Sequence, residues 1–471
     1  MRQTQQPNFM ANLRQEVGNG RQWLDRVVVL GFAVLAGLAV VVFTWTYDWA
    51  FGYFELVRAS YGWATLLWTP AITAFVVWSI RRWAPGAGGS GVPQVMAALD
   101  PKVPRESRGS LVSLKNSMAK ILGVSGGALA GLSIGRQGPS VQVAAGVMHH
   151  ARRYLSPRSG ISDRELLVAG GAAGIAAAFN TPLGGIVFAI EELSRRLEQR
   201  NSGLMLAAIV VSGLVSVSVF GNLSYFGRVS IQTVSWAELL WPALLIALAC
   251  GLLGGLLSRL LIVSFAGVPD RFCAYRRAHP VKFAAWCGFG VAVIGLVTGG
   301  ATGGGGHLHV AQLLATDSLE QHVPFVYSGL KFVASWWSTW SGVPGGIFGP
   351  SLSMGASIGI DVAWLTESTQ VQALMAIGMA GFLAAVTQAP ITAMIIVMEM
   401  TDGHSMVLSL MSSALVASLV SRMISRPLYG TMTEFLLGRF EQQRAEPTPA
   451  QEVPSSPTPP PATPASEPHK P

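Results

Sequence analysis

The sequence runs to 471 residues, of which 51% are hydrophobic and only 12% charged, with a mean hydropathy of +0.45. Soluble domains carry about 25% charged residues, so a soluble enzyme is the wrong class and the chain reads as a polytopic membrane protein. The net charge of +8 belongs to the cytoplasmic ends of spans rather than to a nucleic-acid surface, and Cys250, Cys273 and Cys287, without CxxC spacing, indicate neither a disulfide framework nor a metal site.

Residues 1–24 are polar, and the apolar run after them is too long and too late for a cleaved signal, so the first span is retained. Val27 to Tyr47 has no charge and, at ~1.5 Å per residue, crosses a hydrocarbon core of roughly 30 Å. Tyr61 to Ile80 does the same. Arg2, Arg14, Arg21 and Arg26 precede the first span and Arg81 and Arg82 close the second, while Asp48, Glu55 and Arg58 lie between them. That bias places the amino terminus in the cytoplasm. Further spans are expected at Leu166 to Ile190, Leu204 to Phe226, Leu239 to Leu257, Phe283 to Val297, Val371 to Val397 and Met406 to Val420. Three apolar pieces, Ile121 to Ile134, Val141 to Val147 and Leu352 to Ile360, are too short to cross and are bordered by glycine and proline. They suggest broken or re-entrant helices, tolerated only against protein or a water-filled path. From Glu441 the chain turns proline-rich and cannot build a core.

The two halves of the sequence repeat each other. GRQGPS (Gly135 to Ser140) returns as GIFGPS (Gly346 to Ser351) at an offset of 211 residues, and Gly171-Ala-Ala-Gly174, Pro182 and Glu191 return as Gly378-Met-Ala-Gly381, Pro390 and Glu399. GSGVP (Gly89 to Pro93) falls near GGGGH (Gly303 to His307) at a similar offset. The organisation expected is a polar segment 1–24, a first membrane repeat 25–230, a second 231–440 and a tail 441–471, both termini being cytoplasmic. Repeated halves with Gly/Pro-interrupted segments point to a transporter or channel whose site lies between the halves. A helix that begins inside the membrane leaves its first N–H groups without intrahelical acceptors and carries partial positive charge, so several such ends make an anion site. In GSGVP, Ser90 adds a hydroxyl donor. Spacing alone leaves open whether the repeats are parallel or inverted.

These motifs, with the stretch Ala176 to Leu193, GGIFGP (Gly345 to Pro350), VMEMTD (Val397 to Asp402) and PLYG (Pro427 to Gly430), make the chain resemble the CLC family of chloride channels and chloride/proton antiporters from about Val27 to Arg439. The resemblance implies an all-α inverted repeat of about 18 tilted and broken helices. It also implies a homodimer in the inner (plasma) membrane, with one anion path per subunit and no CBS domains. Chloride, the substrate, would be held by the hydroxyls of Ser90 and Tyr429 and the N–H groups of Ile347 and Phe348. Neither a cofactor nor a metal is expected, and no nucleophile–base arrangement suggests an enzyme.

One position departs from the family. Its GREGP motif carries a gating glutamate, but residue 137 is glutamine. A carboxylate there competes with anions and is protonated to swing aside, coupling the gate to protons. An amide has the same shape and no titratable proton. The expectation is passive chloride conduction uncoupled from protons. The alternative is a chloride/proton antiporter in which Gln137 is an engineered substitution or another acid carries the proton. Glu192 falls on the family's internal proton-transfer glutamate; it could equally pair with Arg195 or Arg196 one turn on. Arg136 and Lys120 border a short apolar run and are candidate pore-lining cations, with structural pairing a rival role for Arg136.

Overall fold

The computed structural model describes residues 20–194, 202–221, 236–267, 269–315 and 325–445. Among them the protein is helical, without strands. The first half comprises α1 (Gly20–Ser60), α2 (Thr65–Trp83), α3 (Val92–Leu99), α4 (Arg105–Leu111), α5 (Leu114–Leu129), α6 (Gln137–His150), α7 (Asp163–Phe179), α8 (Pro182–Phe188), which runs into a π-helical turn at Ala189–Leu193, and α9 (Ser202–Phe220). The second half comprises α10 (Trp236–Ala266), α11 (Arg271–Ala278), α12 (Pro280–Val297), α13 (His307–Ala315), α14 (Val326–Trp340), α15 (Phe348–Leu365), α16 (Val371–Thr387), α17 (Pro390–Thr401), α18 (Val407–Ile424) and α19 (Leu428–Ala445). The final helix thus runs to Ala445, into the segment read as tail; later residues lie outside the described ones.

Among the described residues, six helical segments are long and apolar enough to cross a bilayer: Gly20–Ser60, Gly62–Trp83, Gly203–Phe220, Leu239–Ala266, Pro280–Val297 and His404–Ile424. They fall on six of the expected spans, the end of the one expected over Leu204 to Phe226 lying outside the described residues. The other two, expected as single helices over Leu166 to Ile190 and Val371 to Val397, are broken. Asn180 (φ 60°) ends α7 and Gln388 (φ 59°) ends α16 in the left-handed conformation, and Pro182 and Pro390 open the next helices. Such a residue satisfies the end of one helix while proline, needing no N–H acceptor in a first turn, starts another. Hydropathy does not register the break, because the residues around it are as apolar as a span.

α7 and α16 are buried on almost every face, and each packs on the helix preceding it. A Cβ on Gly170 of α7 would stand 2.7 Å from Ala145 Cα of α6, and one on Gly355 of α15 would collide with the carbonyl of Gly378 on α16. Small residues bring the backbones together where lipid gives apolar side chains no reason to associate. Meanwhile Trp49, Leu67, Leu240 and Met423 are exposed on the spans, as side chains facing hydrocarbon should be.

The halves are tied to each other by repeat-related groups. Glu191, in the π-helical turn, accepts hydrogen bonds from Ile391 N (3.2 Å) and Thr392 N (2.7 Å) in the first turn of α17, and Glu399 accepts from Leu183 N (3.2 Å) and Gly184 N (2.8 Å) in the first turn of α8. Each half caps a helix of the other with a carboxylate, where the helix dipole favours negative charge. Gly135 and Gly346 form an antiparallel bridge, Gly135 N to Gly346 O at 2.7 Å and Gly346 N to Gly135 O at 2.8 Å.

Candidate functional site

The loop before α3 holds Ser90 in place through its backbone. Gly89 and Gly91 have φ of 68° and 105°, conformations that side chains rarely adopt. Gln94, on α3, accepts from Gly91 N (3.0 Å) and donates to Gly88 O (2.5 Å), while Lys120 Nζ, on α5, donates to Gly88 O (3.1 Å) and Gly89 O (2.8 Å). So fixed, Ser90 Oγ lies against the start of α6, 2.7 Å from where a Cβ on Gly138 would stand.

Three helix N-termini meet here. α3 opens at Val92, α6 at Gln137 and α15 at Phe348. The Gly135–Gly346 bridge sets the last two beside each other, and Gly346 leaves no room for a side chain: a Cβ there would be 2.7 Å from Pro139 Cδ and 3.0 Å from Gly138 N. Ile347 is the N-cap of α15 and Phe348 its first residue, so their N–H groups belong to the set with no acceptor inside the helix. Gln137 turns its side-chain oxygen over the same end, 3.1 Å from where a Cβ on Gly349 would stand.

On the other side of Ser90 lies a narrow cavity lined by Ser90, Gly345, Ile347 and Tyr429 together with Phe265 and Thr339. Tyr429 is in the first turn of α19, 1% exposed, and stacks on Phe348 with ring centroids 5.9 Å apart. Phe348 in turn makes edge contacts with Phe179 and Phe188 from the first half. Ser90 Oγ and Tyr429 Oη are buried, and among the described residues neither meets a hydrogen-bond partner in good geometry, although the two hydroxyls are close enough to influence each other. Burying two such groups is unfavourable without an acceptor. A spherical anion that takes both hydroxyl hydrogens and helix N–H groups supplies one. The structure therefore brings together Ser90, Ile347, Phe348 and Tyr429, and places Gln137 at the far side of the same helix ends.

The remaining candidates take separate places. Glu192 is half-buried in the π-helical turn and within electrostatic reach of Tyr429; Arg195 and Arg196 lie outside the described residues. Arg136 forms an ion pair with Asp48 of α1 at 2.6 Å and stands over the Tyr47 ring at 5.6 Å. Tyr47 donates to Ile134 O (2.7 Å) and accepts from Gly305 N (3.0 Å). Lys120 is fully buried and spends its hydrogen bonds on the Ser90 loop. Sequence reasoning missed its counterpart. Lys331 of α14, also fully buried, lies 211 residues further on and donates to Thr302 O (2.9 Å), Gly303 O (3.3 Å) and Gly304 O (2.9 Å). The offset already found between GRQGPS and GIFGPS would have exposed it.

Known proteins resemble the chain in sequence and in fold. The sequence profile of a family described as voltage gated chloride channel matches residues 72–422. The H(+)/Cl(-) exchange transporter ClcA of Cronobacter sakazakii is 30% identical over 441 residues, covering 87% of this chain and 89% of that protein. ClcA of Salmonella typhimurium is 29% identical over 386 residues, covering 78% and 77%. Among solved structures, a slow cyanobacterial Cl-/H+ antiporter superposes with a TM-score of 0.73 at 22% identity, covering 88% of this chain and 99% of that one. A CLC-type fluoride/proton antiporter does so at 0.69 and 18%, covering 91% and 99%. At such identities the two structures speak for the fold alone.

Proposed function

Because the chain belongs to the voltage gated chloride channel family, whose members are multi-pass transporters, we propose that it carries chloride past Tyr429, Ser90 and Gln137 without an obligatory proton. The observation that carries the uncoupled reading is the amide at Gln137. The helix ends and the hydroxyls of Ser90 and Tyr429 supply partial positive charge around an anion at every step, while the side chain at the gate has no proton to give or take. Chloride competes there with a neutral carboxamide rather than with a carboxylate. We further propose that the protein works as a homodimer with one path per subunit, in the plasma membrane, with both termini cytoplasmic; Arg81 and Arg82 at the end of α2 support that orientation.

A second reading, chloride/proton exchange, is favoured by the names of the relatives, which are exchangers, and by the position of Glu192 near Tyr429. One experiment separates the two. Purified protein in liposomes is given a chloride gradient, and chloride efflux and proton uptake are recorded together. The uncoupled reading expects chloride movement with little or no uphill proton movement and a weak dependence on pH. Gln137→Glu should close the path at neutral pH and restore proton pumping, and adding Glu192→Gln should abolish the pumping while chloride still moves. Robust uphill proton transport by the unmodified sequence would overturn the passive reading in favour of exchange.

A further inference from the structure

A cation with no acidic partner among the described residues stands behind the wall of the Tyr429 cavity. Phe265, in the last turn of α10, lines that cavity together with Ser90, Ile347 and Tyr429. Arg276 of α11 lies over the Phe265 ring, its guanidinium carbon 5.6 Å from the centroid, and donates to Ser264 O at 2.7 Å. Ser264 Oγ accepts from Trp336 Nε1 at 3.0 Å, so the arginine is fastened to α10 and through it to α14, whose Thr339 lines the same cavity. Its side chain is half-buried, and among the described residues no carboxylate lies within ion-pair distance of it. The groups within electrostatic reach of it are the buried thiols of Cys287 and Cys273 and two further cations, Arg81 at the end of α2 and Arg439 on α19, both exposed. Guanidinium groups from two other helices thus stand within electrostatic reach of Arg276. A carbonyl and a ring fix the position of this arginine without neutralising its charge.

We propose that Arg276, backed by Arg81 and Arg439, forms the anion-collecting mouth of the path and concentrates chloride in front of the Ser90–Tyr429 site. The inference rests on the chloride-transport reading above. A fixed positive charge beside a low-dielectric wall raises the local anion concentration and hence the rate of entry. The effect is screened once the Debye length falls from ~10 Å at 0.1 M salt to ~3 Å at 1 M, which distinguishes it from a packing role.

The test measures chloride efflux from liposomes holding the full chain, at fixed chloride, with an impermeant salt setting the ionic strength to about 0.1 M or about 1 M. Arg276→Gln should lower efflux about two- to fivefold at the lower ionic strength and leave it nearly unchanged at the higher. Arg276→Lys, which keeps the charge and gives up the planar stacking, should retain most of the flux. Arg439→Gln alters an exposed side chain and should show a smaller loss with the same salt dependence. An unchanged efflux in Arg276→Gln, or an equal loss at both ionic strengths shared by Arg276→Lys, overturns the inference. If Arg276→Gln does not assemble, Arg81→Gln and Arg439→Gln decide, and salt-insensitive flux in both overturns it. Absence of chloride efflux from the starting protein overturns the transport reading as well, whereas normal efflux with salt-insensitive variants removes this inference alone.

Discussion

Ser90 and Tyr429 approach the cavity from different halves of the chain, one on a glycine loop and one on the first turn of α19, and their contributions are separable. Ser90→Pro removes a hydroxyl donor from a site otherwise made of backbone dipoles. Preference should move from chloride toward nitrate by about three- to tenfold, within the roughly 1.5–3 kcal/mol that one hydrogen bond to a charged group contributes. An unchanged chloride-to-nitrate ratio would take Ser90 out of the site. Tyr429→Ala deletes both a donor and the ring stacked on Phe348, so equilibrium chloride binding, measured calorimetrically, should weaken while efflux rises; lower efflux with intact binding would show that the phenol does not constrict the path. Lys331→Met should cost roughly 2–4 kcal/mol, read as earlier thermal unfolding in detergent, because three carbonyls of the Thr302–Gly304 loop lose their donor. At this scale the sequence was informative where glycine or proline marked the place. Lys331 sits in an apolar helix with no such mark, and only its distance from Lys120 betrays it.

Helix boundaries show the same division. Long lipid-facing spans could be read directly, since length and apolarity are what a bilayer selects. The breaks after α7 and α16 could not, because hydropathy averages over a turn of two or three residues; Asn180 followed by Pro182, and Gln388 followed by Pro390, are the local signals that outweigh the average. The carboxylates that cap the resulting short helices are another matter of reach, for Glu399 and Leu183 are 216 residues apart. The repeat pairs Glu191 with Glu399, and the hydrogen bonds to Ile391 and Thr392 show that Glu191 caps a helix of the other half. Glu191→Ala and Glu399→Ala should each destabilise the fold by about 2 kcal/mol, the scale of a charge-assisted cap. Chloride affinity per folded molecule should stay close to that of the parent. A melting temperature unmoved by either substitution would mean that water replaces the carboxylate at no cost.

Across the whole molecule, the path is built by contact between halves rather than within one. The Gly135–Gly346 bridge sets the relative position of α6 and α15, and a methyl group on Gly346 would press on Pro139 and Gly138 of α6. Gly346→Ala should therefore lower chloride affinity and thermal stability together, and retention of both would show that the two helix ends can part by a few tenths of an ångström without consequence. The exchange of caps between Glu191 and Glu399 reaches further. Because each half donates the same residue and receives the same service, a single half-length chain carries both what it must give and what it must be given. Two identical copies inserted in opposite orientations would satisfy every one of those bonds. The arrangement is what an ancestor encoding only one half, and assembling with its own upside-down copy, would have bequeathed, with gene fusion later fixing the two orientations in one polypeptide. Halves expressed as separate chains, divided in the segment between α9 and α10, should accordingly be recovered together and not singly.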